Sequence, residues 1–314
     1  MIVTVTPNPS LDRTAVLDEL VPGAVLRAER VHVDPGGKGV NVARVLAAAD
    51  RHTTALLPCG GVAGGQLAEL LAPEGVPVVV VPISRSTRSN LTIVDRHGVT
   101  TKINEPGPEL APAELEAVRQ RVAELAERAE WVVCCGSLPL DAPDDLHAQF
   151  VEVGRKAGAR VAVDTSGPAL AAACAATPEL VKPNLAELTE LAGRPLPRLG
   201  DVLAAARELR DAGVGAVLTS LGRDGALLVD HTGAWHAMGP EVPVASTVGA
   251  GDAALAGFLL AGASGPTALR TGVAYGTAAV RLPGSRMPRR DEVDVAAVRL
   301  IEPNESLILT GVDP

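Results

Sequence analysis

The chain has 314 residues, enough for one large α/β domain or two modest ones that bury roughly 75% of their unfolded surface. With 47% hydrophobic residues, 21% charged residues, 32 glycines and 25 prolines, it is a globular protein with many turns and not a disordered one. A formal charge of -9 and only 2% aromatic residues exclude a nucleic-acid binder, which needs clustered cations and stacking rings, yet still allow a phosphate site where a few cations converge.

The first predicted strand, Met1 to Thr6, has no basic segment ahead of it, since the first positive side chain is Arg13. It therefore does not read as an export signal, and the expected location is the cytoplasm. This strand leads into Thr6-Pro7-Asn8-Pro9 and not into GxGxxG, which argues against a nicotinamide-dependent dehydrogenase. Residues 14 to 34 show no regular period. Pro35-Gly36-Gly37-Lys38-Gly39-Val40-Asn41 then opens a helix-like stretch. Its spacing is neither that of a P-loop nor that of a dinucleotide fingerprint. The segment is either a sugar contact, with Gly37, Lys38 and Asn41 against the ligand, or a plain turn with a solvated lysine.

Residues 76 to 103 contain Val78 to Val81, Asn90 to Val94 and Thr100 to Ile103, which read as strands without intervening helices. Together with residues 14 to 34 they predict a small β-rich lid. From Pro112 the grammar changes. Leu115, Val118, Val122, Leu125 and Ala129 recur at helical spacing before the apolar run Trp131 to Cys135. The same order of helix and strand recurs at Arg160 to Asp164 and at Ala216 to Thr219. This predicts one α/β domain over residues 1 to 314, with three layers and a mainly parallel sheet. Ligands bind beyond the carboxyl ends of such strands, which sets Gly136-Ser137, Asp164, Lys182-Pro183-Asn184 and Ser220-Leu221-Gly222 along one edge.

The four cysteines lack CxxC spacing and the six histidines are scattered, so a framework disulfide or a protein-built zinc site is not expected. The apolar stretch Ala253 to Ala263 is too short to span a membrane. Just before it, Ser246-Thr247-Val248-Gly249-Ala250-Gly251-Asp252 places glycines at a predicted helix N-terminus. There, backbone N–H groups and the helix dipole can hold an anion, and Asp252 can reach a hydroxyl beside it. Alone, the segment fits equally a glycine-rich turn with Asp252 as the helix cap.

The two glycine-rich segments together resemble the two signatures of the ribokinase-like sugar kinases, in particular the phosphofructokinase B branch. Thr6 to Asp12, Gly136 to Pro139, Lys182 to Glu187 and Ser220 to Gly225 extend the likeness through almost the whole chain. The resemblance implies a ribokinase-like fold and transfer of a phosphoryl group from ATP, with Mg2+ arriving on the nucleotide. By position, Asp252 matches the catalytic base, and Gly249, Ala250 and Gly251 match the anion hole. Lys182, Asn184, Glu187, Ser220, Gly222 and Gly225 match the ATP contacts, with Asn184 and Glu187 organising magnesium through water; those two also spell a capping box. Asp12, Gly37 and Asn41 match sugar contacts.

A phosphorylated acceptor needs further cations, for which Arg88 and Lys102 are the first candidates and Ser137, Lys38 and Arg27 the next. Thr101 to Pro108 and Leu282 to Ser285 look most like the 1-phosphofructokinase group of the branch. That implies fructose 1-phosphate as acceptor, although residue chemistry alone does not separate it from 6-phosphofructokinase or tagatose 6-phosphate kinase. Related lids pair, which implies a homodimer through the lid. A sensor that kept the fold without the chemistry is the reading from another class.

Overall fold

The computed structural model describes residues 1–310. Strand β1 (Ile2–Val5) enters the core, β2 (Ser10–Val16) and β3 (Arg30–Gly36) form an antiparallel pair, and helix α1 (Lys38–Ala48) follows. Next, β4 (Thr53–Cys59), α2 (Gly61–Leu71) and β5 (Val78–Pro82) make a parallel unit before β6 (Arg88–Val94) and β7 (Thr100–Ile103). Regular alternation then runs from α3 (Pro112–Ala126) through β8 (Trp131–Cys135), α4 (Leu146–Lys156), β9 (Arg160–Asp164), α5 (Gly167–Ala175), β10 (Leu180–Val181), α6 (Leu185–Ala192) and α7 (Leu199–Asp211) to β11 (Val217–Ser220). The hairpin β12 (Ala226–Asp230) and β13 (Gly233–Met238), helices α8 (Ala250–Leu260) and α9 (Gly265–Val280), and β14 (Arg299–Ile301) complete the order.

The main sheet runs β14-β13-β12-β11-β10-β9-β8-β1-β4-β5. From β5 to β11 all neighbours are parallel, while β12, β13 and β14 add an antiparallel edge. Period-two alternation splits each strand between two helical layers. Val132, Cys134, Val161 and Val163 pack towards α3 to α7, whereas Trp131, Val133, Cys135 and Ala162 pack towards α1, α8 and α9. The adjacent cysteines thus fall on opposite faces, and all four cysteines are free and buried. The fold is the expected three-layer α/β arrangement. Among the described residues no helix is long and apolar enough to cross a membrane.

A separate small sheet, in the order β3-β2-β6-β7, is called the lid from here, and its strands begin and end at other residues than the segments read from the sequence. Val78 to Val81 lies in the main sheet: β5 pairs with β4 in parallel after the α2 crossover, a helix that the glycines at 60, 61, 64 and 65 hide from a propensity reading. The lid also begins earlier, at Ser10, because β2 pairs along its whole length with β3 and β6.

Register gives the lid two unlike faces. One carries Ser10, Asp12, Arg88, Asn90 and Lys102. The other carries Leu11 and Val33, packed with Val40 and Leu67 of the helices below, and continues through Val31, Leu91, Ile93 and Ile103 into solvent. Val31 is 57% exposed and Ile103 55%, so the outer half of this apolar face has no cover among the described residues.

Candidate active site

At the carboxyl edge of the parallel strands, a cleft of about 370 Å³ is lined by both glycine-rich segments and the ends of three strands. At its centre is Asp164, the last residue of β9, with none of its surface exposed. A carboxylate taken out of water needs opposite charge. Here Lys182 Nζ lies 2.8 Å from Oδ2, and Lys38 Nζ lies 2.7 Å from Oδ1. Burial pushes Asp164 up, but the two ammonium groups outweigh it and its carboxyl stays below the ordinary range. Lys38 also stands 3.6 Å from Glu187 Oε1; burial alone would lower it, but Asp164 and Glu187 together hold it above the usual lysine value.

Asp252 enters the cleft from the first turn of α8 and is 6% exposed. The cap of that helix is Gly249, not Asp252, which leaves the aspartate side chain free of the turn. Gly249 adopts φ 74, a left-handed conformation. A Cβ there would come within 2.4 Å of Met287 Cε, so both backbone and space require glycine. The carboxylate instead accepts a hydrogen bond of 2.9 Å from Asn41 Nδ2 of α1. Burial, and then the negative charge of Asp164, push Asp252 up to about 6, against the opposing pull of Asn41, Lys38 and Lys182. A carboxylate poised there is ionised at neutral pH yet basic enough to accept a proton.

Lys182 is 4% exposed, and its Nζ lies 3.2 Å from where a Gly251 Cβ would be, so the cation and the start of α8 face each other. Ser220, Asn184 and Glu187 also line the cleft. Asn184 and Glu187 form the capping box that their spacing also allowed: Glu187 N donates to Asn184 Oδ1 and Asn184 N donates to Glu187 Oε2, each at 2.8 Å. Glu187 Oε1 remains turned towards Lys38. Among the described residues no group of three acidic, histidine or cysteine side chains is arranged to hold a metal alone.

The sugar-side candidates divide. Asp12 accepts hydrogen bonds from Ser10 Oγ at 2.8 Å and Asn90 Nδ2 at 2.9 Å. A Cβ on Gly36 would fall 2.4 Å from its Cγ, so the lid meets the first glycine segment there without a side chain between them. Arg88 lines a second cavity of about 460 Å³ with Arg85, Ser86 and Glu105 to Pro108. It donates to Asn8 O at 2.9 Å, and Asn8 Nδ2 in turn stands 3.3 Å from Ser137 Oγ. Arg88 and Ser137 are thus joined through one residue.

Three expected residues lie apart. Lys102 shares the face of Asp12 but is exposed on β7 and lines neither cavity. Gly222 is on the turn after β11, outside the cleft lining, with open space around it. Gly225, in the turn between β11 and β12, packs against the Ala237 carbonyl at the end of β13, where a Cβ would come within 1.9 Å. Conversely, sequence reasoning placed Asp164 on this edge but gave it no task. A carboxylate ending the apolar run Val161-Ala162-Val163 was the signal for a buried charge with partners.

The profile of a family described as pfkB family carbohydrate kinase matches residues 6–291. A 1-phosphofructokinase of Rhodobacter capsulatus is 42% identical over 84% of this chain and 84% of its own length. The ATP-dependent 6-phosphofructokinase isozyme 2 of Escherichia coli K12 is 38% identical over 93% of this chain and 96% of its own. Among solved structures, the tetrameric inhibited form of phosphofructokinase-2 from Escherichia coli superposes with a TM-score of 0.86 at 38% identity, covering 90% of this chain and 95% of that one.

Proposed function

The chain belongs to the pfkB family of carbohydrate kinases, phosphotransferases acting on a sugar hydroxyl, and from that premise we propose that it carries the γ-phosphoryl group of ATP to the 6-hydroxyl of fructose 1-phosphate. The observation that carries the reading is the buried pair Asp252–Asn41 at the glycine-opened start of α8, directly across from Lys182 and Lys38. Identity favours the 1-phosphate acceptor, at 42% for the Rhodobacter enzyme against 38% for the 6-phosphofructokinase. The greater coverage of the latter keeps fructose 6-phosphate as the second reading.

In this mechanism Asp252 accepts the proton of the attacking hydroxyl. The sugar oxygen forms its bond to the γ-phosphorus as the bond to the β-phosphate oxygen breaks, and ADP leaves with that electron pair. The N–H groups at the start of α8, from the capping Gly249 to Gly251, face the charge on the transferring group, with Ala250 N–H only loosely engaged by the Thr247 carbonyl at 3.4 Å. Lys182 and Lys38, held by Asp164, are placed to take phosphate oxygens without leaving the pair. Glu187, whose Oε1 is not used by the helix cap, would hold a magnesium ion brought by ATP, through water, while the amide oxygen of Asn184 accepts the cap bond from Glu187 N. Such an ion, when bound, neutralises triphosphate charge. Arg88 would hold the acceptor's own phosphate at the second cavity, with Ser137 joined to it through Asn8.

The test is a panel of free and phosphorylated hexoses, each with ATP and magnesium, assayed for ADP release with the phosphate positions of the product determined. Fructose 1-phosphate should give the highest kcat/KM and a 1,6-bisphosphate. Preference for fructose 6-phosphate would select the second reading, and binding without ADP release would overturn catalysis altogether. We further propose that two chains pair through the uncovered apolar face of the lid. Light scattering should then give twice 32.0 kDa, reverting to the single-chain mass on Ile103→Asp; a single-chain mass for the unaltered protein removes the pairing, and a fourfold mass would match the tetrameric relative.

A further inference from the structure

Asn41 has two ends, and the cleft needs one of them. An ionised carboxylate only accepts hydrogen bonds, so Asn41 stabilises Asp252 when its amide nitrogen faces the carboxylate and opposes it when its oxygen does. Nothing within Asn41 fixes that choice. Arg44 lies one turn further along α1, 6% exposed, with Nη1 3.5 Å from Asn41 Oδ1. A guanidinium only donates, and it therefore holds the oxygen end away from Asp252. The same nitrogen donates to Ser285 O at 2.9 Å, and Nε donates to Glu74 Oε2 at 2.7 Å.

Arg44 thus joins three segments far apart in the chain. Glu74, in the turn after α2, fixes the guanidinium from behind. Ser285 belongs to the same loop as Met287, whose methyl lies over the space that a side chain at Gly249 would fill. That same space lies 3.6 Å from Asn41 Nδ2. One buried cation therefore bears on both the amide that faces the base and the loop that covers the anion-binding glycine. We propose that Arg44 is a positioning residue for phosphoryl transfer, setting the Asn41 amide towards Asp252 and the 282–287 loop over Gly249, without touching either substrate. This rests on Asp252 being the base.

The groups facing Asp252 are Asn41 and Lys38 from α1, Asp164 from β9 and Lys182 after β10, so Arg44 acts on the carboxylate only through Asn41. The experiment is a kinetic cycle of Arg44→Met, Asn41→Leu and the double variant, with kcat followed from pH 5 to 9. Arg44→Met should lower kcat by about 10- to 100-fold with KM for ATP within about twofold, because the loss lies in the orientation of the base and not in ground-state binding. The acid limb of kcat should rise by about half a pH unit as the carboxylate loses its donor.

In the Asn41→Leu background, Arg44→Met should cost almost nothing further. Additive losses, or a fall in melting temperature with unchanged kcat and unchanged acid limb, overturn the proposal. If Arg44→Met does not fold, Arg44→Lys is run through the same cycle, since a lysine carries its donors on one nitrogen and lacks the fork by which Nε and Nη1 reach different acceptors. Its loss should be smaller but equally absent in the Asn41→Leu background, and additivity there overturns the proposal as well. Asp252→Asn, measured in parallel, separates the two ideas: if it keeps near-normal turnover the base assignment fails, whatever the cycle shows.

Discussion

The floor of the cleft and the lid are built on opposite plans. In the floor, Asp164, Asp252 and Lys182 are nearly inaccessible, and each has its partner before any ligand arrives. In the lid, Asp12 and Arg88 are only partly covered, Lys102 is exposed, and half of an apolar face meets solvent. Buried ion pairs contribute little net stability, because desolvation consumes most of their attraction. A folded chain that keeps three carboxylates and two lysines together at the mouth of its sheet is therefore spending stability on a preorganised charge pattern. The lid carries little buried charge, an arrangement that suits recognition and exclusion of water. On the proposed function, chemistry falls to the floor and selectivity to the lid, and variants in each should fail differently.

The floor should give the largest effect. Asp252→Asn keeps the shape and the Asn41 hydrogen bond but removes the proton acceptor, so turnover should fall by roughly 10²- to 10⁴-fold. Binding of ATP, followed by calorimetry, should change by less than about threefold, since the base meets the sugar hydroxyl and not the nucleotide. Turnover within a factor of a few of the unaltered protein would remove Asp252 from the reaction and, with it, the division of labour drawn above.

How much of this could be read from the sequence depends on how local the signal is. Strand β8, helix α3 and the glycine start of α8 declare themselves through apolar period and backbone freedom within a few residues. The α2 helix does not, because four glycines in six positions lower its propensity and only packing of Leu67 and Leu71 against β4 makes it helical. Asp252 itself was visible, but its competing role as a cap could be dismissed only once Gly249 was seen to occupy that place. Asn184 and Glu187 spell a capping box and a nucleotide site in the same letters, and the box is formed. The tasks of Asp164 and Arg44 stayed hidden because their partners are distant, with Lys38 126 positions from Asp164 and Ser285 241 positions from Arg44.

In the lid, Arg88→Ala should act on binding and not on turnover. Its guanidinium is anchored by carbonyls of Glu105 and Asn8, while Nε is buried without a partner among the described residues. A hydrogen bond to a charged group contributes about 1.5–3 kcal/mol, so KM for the sugar phosphate should rise roughly 10- to 100-fold. KM for ATP should stay within about threefold. Equal increases for both substrates would mean that Arg88 only braces the loops at Asn8 and Glu105.

The smallest effect is on stability and separates the regions by pH. Asp252 is raised from 3.8 to about 6 on folding, so the native state holds its proton more tightly than the unfolded chain does. The carboxylate therefore costs nothing below about pH 4, lowers stability progressively as pH rises towards 6, and costs a constant amount above. Asparagine never pays that cost. Asp252→Asn should melt with the unaltered protein near pH 4 and about 2–5 °C higher at pH 7.5, with the gap opening between those values. Arg88 keeps its charge throughout this range, so whatever Arg88→Ala does to the melting temperature should vary little with pH above about 5.5, where the neighbouring carboxylates of Asp12 and Glu105 are ionised. A pH-independent gap for Asp252→Asn would show that its carboxylate is as well solvated as the lid, and the contrast between floor and lid would then rest on shape alone.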